Sequence, residues 1–185
     1  LNIPHANNEG GGDPRALGRG MRVPDWGGFG KRDWPAEEKG FARMLQYIDR
    51  DVGNILKVLK ELGIDDNTLV MFSSDNGPHQ EGGHKMPFFD SNGPLKGMKR
   101  DLYEGGIRVP FIARWPGRVP AGETSAHIAG FQDVFPTVCE LAGIKGQPKN
   151  DGVSLAPLLT GQSKRQNRHP HLYWEFYERG GRRAV

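Results

Sequence analysis

Thr68-Leu69-Val70-Met71-Phe72-Ser73-Ser74-Asp75-Asn76-Gly77-Pro78 is an apolar, β-type run that stops abruptly at a carboxylate and an amide. Its apolar residues do not alternate with polar ones, the pattern of a strand covered on both faces. Upstream, Phe41, Met44, Leu45, Ile48, Val52, Ile55, Leu56, Leu59 and Leu62 recur at three- and four-residue spacings, with Lys and Asp on the opposite side. That periodicity predicts an amphipathic helix docked on a sheet, with Gly63 placed to end it. Helix, short turn (Ile64-Asp65-Asp66-Asn67) and non-alternating strand together form the signature of a parallel α/β unit. In open sheets of that kind ligands sit beyond the carboxyl ends of the strands, where Asp75 and Asn76 fall. Both offer hard oxygens suited to a divalent cation such as calcium or magnesium. Asn76-Gly77 would equally serve as an ordinary turn after a buried strand.

Outward from this strand, a loop carries His79, Glu81, Gly82, Gly83, His84 and Lys85. Lys99-Arg100-Asp101-Leu102-Tyr103-Glu104-Gly105-Gly106 then leads to a further strand expected over Ile107 to Trp115. Asp133 is placed to cap a helix through Cys139, whose Pro136 is tolerable only near a first turn. Asp151 to Gly161, bounded by Gly and Pro, closes a domain of residues 1–162. Residues 163–185 read as a basic linker, Ser163 to Arg168, followed by an alternating, half-exposed antiparallel strand, His171 to Tyr177, that begins a small second subdomain.

Between residues 10 and 40 the chain is rich in Gly, Pro and charge, a long loop with Trp26, Phe29 and Trp34 interspersed. Gly27-Gly28-Phe29-Gly30-Lys31-Arg32 lacks the leading Gly and the Ser/Thr after Lys of a nucleotide phosphate loop. With 36% hydrophobic and 25% charged residues, 27 Gly and 14 Pro, the chain of 185 residues has a globular composition with unusually much loop. The net charge of +3 favours anionic ligands mildly, but the basic residues are scattered, which argues against nucleic acid. The single Cys139 has no internal disulfide partner and reads as a buried small hydrophobe. No stretch is long and apolar enough to span a bilayer. The chain opens on Leu1 and stops at Ala184-Val185 within a strand-like pattern, so it reads as a fragment lacking both ends.

Pro4-His5, the helix leading into Asp66-Asn67-Thr68-Leu69-Val70, Ser74-Asp75-Asn76-Gly77 and Lys99 to Pro110, with Asp133-Val134-Phe135-Pro136-Thr137 and Asp151-Gly152-Val153-Ser154-Leu155, occur in an order and spacing that resembles the sulfatase family of formylglycine-dependent, arylsulfatase-like enzymes. The resemblance spans nearly the whole chain. It implies an alkaline-phosphatase-like α/β fold, a mostly parallel sheet flanked by helices, with the small carboxy-terminal subdomain, and hydrolysis of sulfate esters. It implies that Asp75 and Asn76 help hold Ca2+ in preference to Mg2+. It makes Lys99 the residue that binds the sulfate group, and His5 the histidine that contacts the ester and protonates the departing alcohol. A flexible ammonium suits charge neutralisation on sulfuryl oxygens, and an imidazole suits delivery of one proton near neutral pH. His79 and His84 lie on the loop beyond the metal pair and are further candidates for substrate contact.

In this family a Cys or Ser in a Cys/Ser-x-Pro-x-Arg motif becomes formylglycine, the nucleophile. No such motif occurs here, and Cys139 is followed by Glu140 and Leu141. The nucleophile and an early paired-Asp strand with the remaining metal ligands are therefore expected in a missing amino-terminal half, and the fragment alone is expected to be inactive. Two other readings stay open: a phosphodiesterase or phosphonate hydrolase of the same superfamily, and a non-catalytic sulfatase-derived protein that binds sulfated glycans. The expected partner is a small-molecule or glycan sulfate ester, with Trp26, Phe29 and Trp34 either walling a sugar site or packing on their own domain. Export to a periplasmic or extracellular compartment is implied, and oligomeric state leaves no trace.

Overall fold

The computed structural model describes Val23 and residues 25–185, so His5 and most of the segment before Asp25 lie outside the described residues. The described residues form two compact units that interleave along the chain. One comprises the described residues up to Leu62 with Ser74–Val109, and the other Gly63–Ser73 with Pro110–Val185.

The first unit is organised by helix α1, Ala36–Glu61. It starts earlier than the apolar periodicity indicates, within the segment expected to be loop. Pro35 immediately precedes it, and Glu37 and Glu38 occupy its first turn, where carboxylates meet the positive end of the helix dipole. Gly63, at φ +66°, takes the left-handed conformation that ends it. Along the apolar stripe Leu45, Ile55 and Leu62 are 46%, 54% and 65% exposed. Burial is confined to the first turns, at Glu38, Gly40, Phe41 and Ala42. The Phe41 ring there stacks on the His84 imidazole with centroids 3.8 Å apart. Trp34 packs against Phe29, Phe88 and Phe89 at centroid distances of 5.6, 5.7 and 5.3 Å, a cluster in which Phe88 is exposed and the other three are half-buried.

In the second unit, strand β1, Val70–Ser73, pairs antiparallel with β2, Phe111–Arg114, with Val70 opposite Arg114 and Ser73 opposite Phe111. The helix-then-strand pattern predicts a parallel neighbour; among the described residues β1 pairs with β2 alone, antiparallel. Strand β2 is shorter than the expected Ile107 to Trp115 because Glu104–Ile107 forms a helical turn, α2, and Pro110 has no N–H for a ladder. The pair is anchored at its ends. Ser73 Oγ donates to the Pro110 carbonyl at 2.8 Å, Arg114 forks onto both oxygens of Asp65 at 2.6 and 2.8 Å, and Trp115 Nε1 donates to the Asp66 carbonyl at 2.8 Å.

Helix α3, Val134–Leu141, buries Pro136 in its first turn and Cys139 further along, as expected. Asp133 stands at its N-cap position, but its side chain makes no capping bond to the helix. Its carboxylate, fully buried, accepts the N–H groups of Gly130 and Val153 at 2.8 and 2.7 Å and faces His169 Nε2 at 2.7 Å. Reaching backward and outward, it satisfies loop donors that burial would otherwise leave orphaned. Short α4, Ala156–Leu159, follows, and β3, Trp174–Phe176, pairs antiparallel with β4, Arg182–Ala184. Among the described residues no helix is long and apolar enough to cross a membrane.

Candidate active site

Ser74, Asp75 and Asn76 follow the last residue of β1 directly, and local hydrogen bonds fix the turn they make. Ser74 Oγ donates to the Asn76 carbonyl at 2.8 Å. Gly77 N–H then donates to the Gly106 carbonyl at 2.9 Å, and Lys99 N–H to the Pro78 carbonyl at 2.9 Å. These two bonds tie the Asp75-Asn76 corner to the Lys99 segment, residues more than twenty positions away in sequence. A third, from Gly105 N–H to the Lys96 carbonyl at 2.7 Å, folds the Lys99 segment on itself. The glycines are required by the closeness of the backbones. A Cβ on Gly77 would run into the carbonyl of Gly105, one on Gly105 into the carbonyl of Gly97, and one on Gly106 into the carbonyl of Asp101.

Lys99 itself stands on a tight turn. Asp101 N–H donates to the Met98 carbonyl at 2.8 Å, and Asp101 Oδ2 accepts the Met98 N–H at 3.1 Å. Between them Arg100 is held at φ +76°, a left-handed conformation costly for a residue with a Cβ and concentrated at functional sites. Asp75 is exposed and Asn76 half-buried, and neither side chain bonds to another described residue. A carboxylate and an amide oxygen on consecutive residues are hard donors of the kind that calcium takes. Among the described residues no group of three or more His, Cys, Asp or Glu is disposed to hold a metal.

Glu81, which sequence reading did not single out, is the carboxylate beside the candidate anion-binding amine. Its Oε2 lies 2.8 Å from Lys99 Nζ and its Oε1 2.9 Å from an Arg100 guanidinium nitrogen. The Lys99 and Glu81 side chains are 20% and 19% exposed, a partly desolvated pair in which charge interactions exceed those on open surface. Glu81 opens a tight turn, Glu81–Gly83, in which Gly82 and Gly83 adopt φ of +71° and +87°. His79 fixes that turn: its Nδ1 accepts the Glu81 N–H at 3.0 Å.

His79 and His84 are 8% and 2% exposed, so both are built into the loop rather than presented on its surface. His84 Nδ1 meets Glu38 Oε2 at 2.6 Å, and Glu38 Oε1 accepts the Lys85 N–H at 2.8 Å. The first turn of α1 thereby holds the loop that carries Glu81. Sequence reading missed Glu38 because it lies in the charged stretch before the apolar repeat. The structure thus brings Asp75, Asn76, Lys99 and His79 onto one backbone-knitted framework, turns His84 toward α1, and leaves His5 outside the described residues.

The sulfatase family model matches residues 32–144. The chain is 41% identical to mouse (Mus musculus) steryl-sulfatase over 133 residues, covering 70% of this chain and 21% of that protein. It is 42% identical to dog (Canis lupus familiaris) N-acetylgalactosamine-6-sulfatase over 125 residues, covering 63% and 22%. The chain therefore spans about a fifth of the length of these relatives. Among solved structures, Ps i-CgsB in complex with k-i-k-neocarrahexaose aligns with a TM-score of 0.67 at 33% identity, over 80% of this chain and 32% of that one. BT4656 in complex with its substrate D-glucosamine-2-N,6-O-disulfate aligns with a TM-score of 0.60 at 26% identity, over 79% and 28%. The chain belongs to the sulfatase family, with its alkaline-phosphatase-like α/β fold.

Proposed function

We propose that this chain is a carboxy-terminal portion of a sulfatase catalytic region, in which Asp75 and Asn76 supply part of a calcium site and Lys99 grips the sulfate group of an ester substrate. One observation carries the reading: the hydrogen bond from Lys99 N–H to the Pro78 carbonyl sets the amine's backbone against the turn that presents the two oxygen donors. Bound there, calcium would supply positive charge that polarises the sulfuryl oxygens. Asp75 contributes a formal negative charge to hold the cation, and Asn76 a neutral oxygen. Lys99 neutralises charge on the sulfuryl oxygens and on the oxygen that leaves. Its partial burial strengthens that interaction, and its backbone anchors limit the entropy lost on gripping the anion. His5 would protonate the departing alcohol, while the nucleophile, a formylglycine, belongs to a part of the protein outside this chain. His79 acts here through the loop that it fixes.

The substrate class is a sulfate ester of a small molecule or a glycan. A sulfated saccharide is favoured because BT4656 is described with a disulfated glucosamine as its substrate, at 26% identity to this chain. Calcium use fits a periplasmic or extracellular setting. The test is release of inorganic sulfate from an aryl sulfate and from a sulfated disaccharide by the protein expressed from its complete gene. Sulfate release that is lost on chelation and restored by calcium is expected. Hydrolysis of a phosphodiester without sulfate release would assign the protein to phosphoryl chemistry, and binding of the sulfated sugar without turnover would make it a binding protein.

A further inference from the structure

We propose that Glu81 is a positioning residue that aims Lys99 and, bridging Lys99 and Arg100, acts as an internal anion that an incoming sulfate group displaces. The inference rests on the reading of Lys99 as the sulfate-gripping amine. A carboxylate presents two oxygens to two N–H donors, and so does a sulfate; cations spaced to receive one receive the other. Here the two contacts are 2.8 Å to Lys99 and 2.9 Å to Arg100.

Placement of this carboxylate is built rather than incidental. The turn that carries it uses two left-handed glycines, its N–H is held by the buried His79, and the loop beyond it is fastened by the Glu38–His84 pair, each side chain 1% exposed. On the other side, Arg100 is kept in a strained backbone conformation at φ +76°, which the Met98–Asp101 turn imposes. Strain on one partner and a pinned loop on the other define where the three charged groups meet. With Glu81 in place the trio carries a net charge of about +1 at neutral pH, since it comprises two cations and one carboxylate. A sulfate that replaces the carboxylate meets both cations. Binding is thereby weakened, because one anion must leave before the other enters, while in the free protein the carboxylate holds Lys99 and Arg100 where the sulfate will sit.

A distinctive signature follows. In the complete protein, Glu81→Gln removes the competing charge, so inorganic sulfate should bind and inhibit about threefold to tenfold more tightly, the range set by a partly screened charge pair. Over the same change kcat should fall by up to a similar factor, because the sulfate product leaves more slowly once no carboxylate competes for its cations. Glu81→Asp keeps the charge and should restore sulfate affinity to near the unmutated level. A merely structural glutamate would instead weaken sulfate binding, or leave it unchanged, in both variants. Sulfate binding to Glu81→Gln that is no tighter than to the unmutated protein overturns the proposal. A crystal structure of the unmutated protein with sulfate decides the matter without a variant: sulfate on Lys99 with Glu81 turned away is expected, and Glu81 still bridging both cations contradicts it. Lys99→Ala separates the two levels of inference. If sulfate affinity and turnover survive Lys99→Ala, the reading of Lys99 falls and takes this proposal with it. If Lys99→Ala abolishes them while Glu81→Gln changes nothing, only the role of Glu81 falls.

Discussion

Lys99→Ala in the complete protein is expected to lower kcat toward a sulfate ester by about a hundredfold to a thousandfold, the usual cost of deleting one preorganised charge at a reacting centre. The substitution removes the ammonium but leaves the backbone bond to Pro78, since that bond uses Lys99 N–H. The fold should therefore survive, with a melting temperature within a few degrees of the parent. KM should rise less than kcat falls, because the ammonium interacts most strongly with charge that develops as the ester bond breaks. A steady-state comparison with Lys99→Arg extends the test. Arginine keeps the charge but presents a broader planar head, so partial rescue is expected rather than full activity. Activity of Lys99→Ala equal to that of the parent would remove Lys99 from the site.

Gly77→Ala is expected to destabilise the first unit by roughly 3 kcal/mol, a shift near 10 °C for a chain of this size. The new methyl would meet the Gly105 carbonyl oxygen, with the Gly105 carbonyl carbon and Gly106 Cα each at 2.9 Å. No rotamer relieves a clash between a Cβ and backbone, so the Gly77–Gly106 bond must lengthen and the Lys99 segment must move. Activity should fall along with stability. Gly28→Ala is the control, since a Cβ there meets nothing within 4 Å. Thermal melts of the two variants in parallel check the expectation; equal melting temperatures would contradict the account of why the two segments lie so close.

The sequence carried the elements whose cause is local. Helix α1 was legible from Phe41 to Leu62 because apolar side chains repeat at helical spacing, and Gly63 marked its end. Its first turn was hidden, since Pro35, Glu37 and Glu38 look like loop composition although each is favourable at a helix start. The strand run before Asp75 was legible, but the orientation of its partner was not: an apolar, non-alternating strand is covered on both faces whether its neighbour runs parallel or antiparallel. Asp133 shows the same limit. Its place before an apolar helix suggests a cap, whereas burial and the donors of Gly130, Val153 and His169 decide where its carboxylate goes. Asp75, Asn76 and Lys99 were singled out as candidates through the order of their motifs. Glu81 and Glu38 were not, because their partners lie 18 and 46 residues away and a glutamate among glycines or at a helix start has no pattern of its own.

The central claim is that the turn after β1 is a cation-binding corner joined to an anion-binding lysine. Titration of calcium into the complete, chelator-stripped protein and its Asp75→Ala variant tests it most directly. Asp75 is exposed and bonds to no other described residue, so its replacement should leave the metal-free melting temperature within about 2 °C, as is usual for surface positions. Calcium affinity should fall by about a hundredfold or more, because the corner loses its one formal charge. Calcium binding by Asp75→Ala at the parent's affinity would contradict the account.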